Sequence, residues 1–115
     1  MQRDLCAYLE DVATAHDKIL EFISGLTFEQ FASSELIVTA VERKLEIIGE
    51  ALSQASKTFP GSVDSISDLR YAVMPRNRIA HGYFDIESSV LWKTIFDDLP
   101  ALRLNIEALR IVRGC

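Results

Sequence analysis

The residues best suited to chemistry lie in one short stretch, between positions 74 and 84. Two arginines, an amide, an imidazole and a phenol occur there within eight positions: Arg76, Asn77, Arg78, His81 and Tyr83. The guanidinium group offers a fixed fork of donors that fits a phosphate, and histidine can exchange protons near neutral pH. In RNA the 2′-hydroxyl is a built-in nucleophile, and the five-coordinate oxyanion formed by its attack needs cationic donors. The set therefore suits phosphodiester cleavage in RNA, and this chemistry requires no metal ion or other cofactor.

Helical geometry does not bring all of these side chains to one face. Arg76 and His81 are five positions apart, which corresponds to about 140° around a helix and ~7.5 Å along it. Asn77 and Arg78 are the same-face neighbours of His81 if this stretch is helical. Arg76 could converge on His81 through its long stem, through local unwinding near Gly82, or from the second subunit of a symmetric dimer. A dimer would create one composite cleft on a two-fold axis.

A purely structural role for the same residues stays open on pattern alone. The two arginines could cap helix carbonyls or pair with acids such as Asp85 and Glu87, with His81 satisfied at a helix end. Elsewhere, His16 is interpreted as a surface or core-edge histidine rather than a ligand. The acids at 42, 46 and 50 form a row at helical spacing, but Arg43 and Lys44 between them favour a solvated charged face over a metal site.

The elements that must position the motif are helices. Apolar residues recur at three- and four-residue steps, while only three prolines and five glycines interrupt the chain. The pattern predicts a first helix over 4–23 that stops near Gly25, and a Thr27–Gln30 capping pattern opens a short helical turn. Ser33 or Ser34 caps a long helix that ends at Phe59-Pro60-Gly61.

The sequence pattern of the second half of the chain predicts the remaining helices. Ser65 or Ser67 caps a shorter helix that runs to Val73, and residues 76–81 form one or two turns beginning at Pro75. A last long helix extends over 87–112 with a kink or break near Pro100. We therefore expect an all-α, up-down bundle of four main helices plus short helical segments, with the motif in the connection before the last helix.

Composition sets the class of protein. The 115 residues are 49% hydrophobic and 25% charged, which predicts one folded domain over 1–115. The formal net charge of −5 argues against a general nucleic-acid binder, so any RNA contact must be confined to a local cleft. The most apolar stretch, residues 36–41, is far too short to span a bilayer, and no secretory signal begins the chain. These features predict a cytoplasmic protein without a membrane segment.

The two cysteines lie near opposite ends of the chain. Cys6 and Cys115 show neither a CxxC pattern nor a Cys/His spacing. We therefore expect neither a zinc site nor a disulfide framework, with Cys6 buried and Cys115 at a frayed end.

Four ordered segments resemble one known family. The motif Arg76-Asn77-x3-His81-Gly82-Tyr83-Phe84-Asp85 resembles the signature of HEPN-domain proteins of the HepT type, the toxins of HepT/MntA toxin–antitoxin pairs. The resemblance continues in Gly25-Leu26-Thr27-Phe28, in the run from Leu45 to Ala51, and in Trp92-x2-Ile95-x2-Asp98-Leu99-Pro100. It covers nearly the whole chain.

The resemblance implies an α-helical homodimer whose motifs face each other across a cleft and cut RNA without a metal. Arg76 and His81 match the family's catalytic pair, and Asn77 matches the polar position that would orient one of them. Arg78, a same-face neighbour of His81 in a helix, is a supporting candidate. Tyr83 matches the tyrosine that the family's partner, an MntA-type nucleotidyltransferase antitoxin, modifies with AMP. Such a modification would block the cleft by its bulk and negative charge.

Three functions compete at this point. The first is an endoribonuclease toxin neutralised by a nucleotidyltransferase. The second is a non-catalytic module that uses the same cleft to bind a nucleotide or to present Tyr83 to its partner, and the third is an inert helical dimer. A toxin needs both Arg76 and His81, a partner substrate needs mainly Tyr83, and a scaffold needs none of the three.

Overall fold

The computed structural model describes residues 4–66 and 84–115, with only the backbone described for residue 65 and for 84–87. All regular structure in these two ranges is helical, which confirms the all-α prediction. The elements, in chain order, are α1 (Leu5–Ile23), α2 (Phe28–Ala32), α3 (Glu35–Thr58), a 3-10 turn (Asp64–Ile66), α4 (Phe84–Lys93), a π-helical turn (Thr94–Asp98) and α5 (Leu99–Val112). The predicted helix up to Val73 and the predicted turns over 76–81 lie largely or wholly outside the described residues.

Local signals in the sequence fix the boundaries of the first three helices. Gly25 follows α1 with a φ of 78°, the left-handed conformation that glycine adopts without a steric cost. Before α2, the Thr27 backbone N–H donates to Gln30 Oε1 at 2.9 Å, and the Gln30 N–H donates to Thr27 Oγ1 at 3.1 Å. The Ile37 N–H donates to Ser34 Oγ at 3.2 Å before α3. These contacts satisfy backbone donors that have no partner within a helix, and they confirm the predicted capping residues.

One hydrophobic cluster joins the three longest helices. Burying each of its large aliphatic side chains contributes about 1.5–3 kcal/mol relative to leaving it in water. Fully buried members include Leu9 and Ile19 of α1, Val41, Leu45, Ile48 and Leu52 of α3, and Leu99, Leu102 and Ile106 of α5. Because α1 contributes to this cluster between α3 and α5, it is the central element of the described fold.

The last helical stretch differs in detail from its prediction. It begins at Phe84 rather than at 87, and the expected irregularity near Pro100 is a π-helical turn just before that proline. The Leu99 N–H donates to the carbonyl of Thr94, five residues back. Pro100 has no N–H, and its ring would crowd the carbonyl four residues earlier, so the regular i to i−4 hydrogen bonding of an α-helix is interrupted here. The turn widens there, and Pro100 lies in the first turn of α5.

The expectation of two unlinked cysteines is wrong. Cys6 and Cys115 form a disulfide, with their Cα atoms 5.7 Å apart. Asp17 of α1 accepts a hydrogen bond from Arg103 of α5, so the two helices run antiparallel and the start of α1 meets the end of α5. The sequence separation of 109 positions hides this proximity from any argument based on spacing.

Candidate functional site

The predicted catalytic motif lies outside the described residues. Arg76, Asn77, Arg78, His81 and Tyr83 all fall between 67 and 83, so their roles stay predictions. The structure does describe the residues on either side of that segment and the side-chain contacts of helices α1 to α5.

Both ends of the 67–83 segment join buried anchors. Before it, Val63 and Ile66 are 2% and 0% exposed. After it, the first turns of α4 lead to Ser88, which is fully buried, and to Leu91, which is 5% exposed. Buried residues therefore lie in the described stretches on both sides of the 67–83 segment.

An aromatic cluster lies where α2 packs on α4. The Trp92 ring centroid lies 5.8 Å from that of Phe28 and 5.0 Å from that of Phe31, which is fully buried. Phe96, in the π-helical turn, lies 4.8 Å from Trp92 and remains 54% exposed. Such offset or edge-on pairs stabilise a contact beyond the area they bury. The cluster fixes the direction of α4, the helix that follows the motif.

Charged side chains occupy one face of α3. Arg43 Nη1 lies 3.3 Å from Glu46 Oε1 and 3.8 Å from Glu50 Oε1. The side chains of Arg43 and Glu50 are well exposed, whereas that of Glu46 is only 21% exposed. This arrangement agrees with a charged helix face. Within residues 4–66 and 84–115, no group of three or more His, Cys, Asp or Glu side chains is placed to hold a metal ion.

A chain of ionic contacts crosses from α1 to α5. Buried His16 contacts Asp17 through Nδ1 at 2.8 Å, and Asp17 Oδ1 accepts from Arg103 Nε at 3.3 Å. Arg103 Nη1 donates to Glu107 Oε1 at 2.8 Å, and Arg110 approaches the same carboxylate at 3.5 Å. His16 is thus a core-edge histidine, as its position in the pattern indicates.

These contacts perturb three ionisable groups. The hydrogen bond with His16, followed by that from Arg103, lowers the pKa of Asp17. The hydrogen bond from Arg103 lowers the pKa of Glu107, and the same bond raises the pKa of Arg103. All three shifts favour the charged forms, so the chain of contacts acts as a set of ion pairs that joins the first and last helices.

Sequence reasoning did not find two of these features. Asp17 and Arg103 are 86 positions apart, so only the packing of α5 on α1 reveals their contact. Phe28 and Phe31 are likewise far from Trp92 in the sequence, so their ring contacts follow only from the packing of α2 on α4. The contact of Trp92 with Phe96 could be predicted, because four-residue spacing puts both rings on one helix face. None of the described helices is long and apolar enough to cross a membrane.

Comparison with known proteins shows which family the chain resembles. The model of the HepT-like ribonuclease family matches residues 12–109. "Probable ribonuclease HepT" of Thermococcus cleftensis is 39% identical over 110 residues, which cover 96% of this chain and 99% of that protein. "Putative RNase MJ1380" of Methanocaldococcus jannaschii is 31% identical over 92% of this chain and 96% of its own length.

A third relative matches over a similar share of the chain. "Putative RNase TTE0752" of Caldanaerobacter subterraneus subsp. tengcongensis is 29% identical over 89% of this chain and 90% of its own length. No solved structure matches the chain significantly. The family match and the full-length similarity to these relatives agree with each other, and the chain belongs to the HepT-like ribonuclease family.

Proposed function

We propose that this protein is a metal-independent endoribonuclease and the toxin of a toxin–antitoxin pair. The observation that supports the proposal most is the family match over residues 12–109, a range that contains the Arg-x4-His-x-Tyr motif. The names of the relatives, which refer to ribonucleases, support the same activity. The protein would act on RNA in the cytoplasm.

The proposed chemistry assigns one task to each motif residue. His81 exchanges the proton of the RNA 2′-hydroxyl, whose oxygen then attacks the adjacent phosphorus. Arg76 holds the phosphate and neutralises the charge that develops on its oxygens. The bond to the 5′-oxygen breaks, that oxygen receives a proton, and the products are a 2′,3′-cyclic phosphate and a 5′-hydroxyl. Asn77 and Arg78 orient these groups.

The charge of the molecule limits how RNA is held. With a net charge of −5 the chain has no general attraction for a polyanion, so binding relies on local cations within a cleft. A homodimer would supply two copies of the motif to one such cleft. Val90 and Phe96, which are 57% and 54% exposed, lie in the helical stretch directly after the motif and provide apolar surface suited to a contact between copies.

Neutralisation is assigned to a nucleotidyltransferase antitoxin of the MntA type. It would transfer AMP from ATP to the Tyr83 hydroxyl and release pyrophosphate. The added phosphate carries negative charge into a site built to receive a phosphate, and its nucleoside occupies space that RNA needs.

The test is RNA cleavage by the full-length chain in EDTA. We compare the wild type with Arg76→Ala and His81→Ala, after circular dichroism and sizing show that all three fold and associate alike. Removing a group that transfers protons or stabilises the transition state costs about 10²-fold or more, so both variants are expected to lose at least that much activity. Arg113→Ala, which removes an exposed arginine outside the motif, is the matched control and should cut like the wild type.

Two outcomes would contradict the proposal. If no protein cuts RNA, a non-catalytic module that presents Tyr83 to its partner takes its place. If all variants cut equally, the activity does not belong to this motif.

A further inference from the structure

After the last turn of α5, the chain reverses direction toward the start of α1. Gly114 has a φ of 74°, and its N–H donates to the carbonyl of Ile111 at 3.1 Å. The Cys115 N–H donates to the carbonyl of Arg110 at 2.8 Å. These two bonds define the Schellman motif, in which a left-handed glycine reverses the chain after a helix. The reversal places Cys115 on Cys6.

The two ends joined by this disulfide are anchored very differently. At the start of α1, Leu5, Tyr8 and Leu9 are 5%, 9% and 0% exposed, so this helix end is held by the core. On α5 the last fully buried side chain is that of Ile106, Leu109 is partly buried against the core, and Ile111 and Val112 are 74% and 79% exposed. The terminal turn of α5 therefore depends on the disulfide far more than the start of α1 does.

The two cysteine residues also differ in exposure. Cys115 is exposed, whereas Cys6 is half-buried in the first turn of α1. A thiolate from solvent would therefore attack Cys115 Sγ and expel Cys6 as the leaving thiolate.

We propose that the Cys6–Cys115 pair is a thiol–disulfide exchange site that locks the C-terminal turn of α5 onto α1 when oxidised and releases it when reduced. The reductant is a small dithiol. Its first sulfur bonds to Cys115 while the Cys6 sulfur leaves and takes a proton. Its second sulfur then displaces Cys115 as a thiol, so two electrons pass to the protein and the dithiol becomes a cyclic disulfide. Because the core contacts of α5 up to Leu109 remain, reduction opens the turn and leaves the bundle folded.

The lock is independent of the proposed ribonuclease activity and is tested without RNA. The full chain is treated with trypsin, with and without dithiothreitol, under conditions in which the bundle stays folded. Arg110 and Arg113 supply cleavage sites inside the turn. In the reduced protein we expect cleavage at these two arginines to be at least tenfold faster, with cleavage at Lys44, in the middle of α3, unchanged.

The cysteine variants provide the matched comparison. Cys115→Ser and Cys6→Ser should behave like the reduced wild type whether or not dithiothreitol is present. The melting temperature of the oxidised wild type should exceed theirs by roughly 8 °C or more, because the bond closes almost the whole chain into one loop. Gly114→Ala keeps both cysteines but strains the left-handed turn, so it should shift the exchange equilibrium toward the thiols by about fivefold or more.

Two results would overturn the proposal. One is an oxidised protein whose trypsin cleavage in the turn and melting temperature match those of Cys115→Ser. The other is a disulfide that links separate chains, which a gel run without reductant would show as a covalent dimer.

Discussion

Two helix contacts of the described bundle are of different kinds. Along the contact between α1 and α5, a disulfide and a chain of ion pairs supplement the buried aliphatic residues. At the contact between α2 and α4, aromatic rings provide the specific contacts, with Trp92 between Phe28, Phe31 and Phe96. We expect the first contact to respond to redox state, pH and salt, and the second to depend mainly on the packing of the rings.

This difference matters because of where each contact lies. The aromatic contact fixes α4, which follows directly after the segment that carries the proposed catalytic motif. The covalent and ionic contact lies along the first and last helices. Solution conditions should therefore alter the α1–α5 contact while the support of α4 stays unchanged.

The largest effect on stability is expected from the aromatic contact. Phe31→Ala removes a fully buried ring and should lower the free energy of unfolding by about 3–5 kcal/mol, measured by urea denaturation. The matched control is Leu104→Ala, which truncates a side chain that is 73% exposed and should change stability by no more than about 0.5 kcal/mol. Equal effects from both variants would show that the ring does not support the fold as described.

A smaller effect is expected at the start of α2, which presents Phe28 and Phe31 to Trp92. Thr27→Ala removes the acceptor for the Gln30 N–H and should cost about 1 kcal/mol. Thr27→Ser keeps a hydroxyl at the same position and should restore most of that loss. The capping role is wrong if serine destabilises the protein as much as alanine does.

The smallest effect is expected from the ion pairs of the α1–α5 contact. The Asp17 side chain is 55% exposed, so solvent screens its contact with Arg103, and Asp17→Asn should cost less than about 0.5 kcal/mol. Because its pKa in the folded protein is lowered from the ordinary value of 3.8, Asp17 stabilises the fold above that pH. The stabilisation is lost as the pH falls through the lowered pKa.

The pH dependence gives this last prediction a direct measurement. Unfolding curves of wild type and Asp17→Asn should differ at pH 7 in low salt and converge at acid pH or in 1 M salt. A difference that persists under both conditions would mean that Asp17 acts through packing rather than charge.

Much of the fold was accessible from the sequence because its signals are local. Gly25, the Thr27–Gln30 pair and Ser34 act within a few residues of themselves, so their capping roles follow from spacing. The features that escaped prediction join distant positions. Nothing near Cys6 indicates that Cys115 lies beside it, and nothing near Asp17 indicates Arg103.

The irregular turn before Pro100 is an intermediate case. The proline predicted a kink or break but not its form, because the backbone accommodates the missing donor by widening over Thr94–Asp98. The proposed site itself depends on the chemistry of Arg76 and His81 and on family membership, since its residues lie outside the described ranges.

The most direct test of the central claim is the chemical nature of the cut RNA ends. An RNA oligonucleotide is incubated with the full chain in EDTA, and the products are analysed by mass spectrometry for wild type and His81→Ala. The account predicts 2′,3′-cyclic phosphate and 5′-hydroxyl ends from the wild type and at least a 10²-fold loss of product from the variant. Products with 5′-phosphate ends, or equal yields from both proteins, would contradict it.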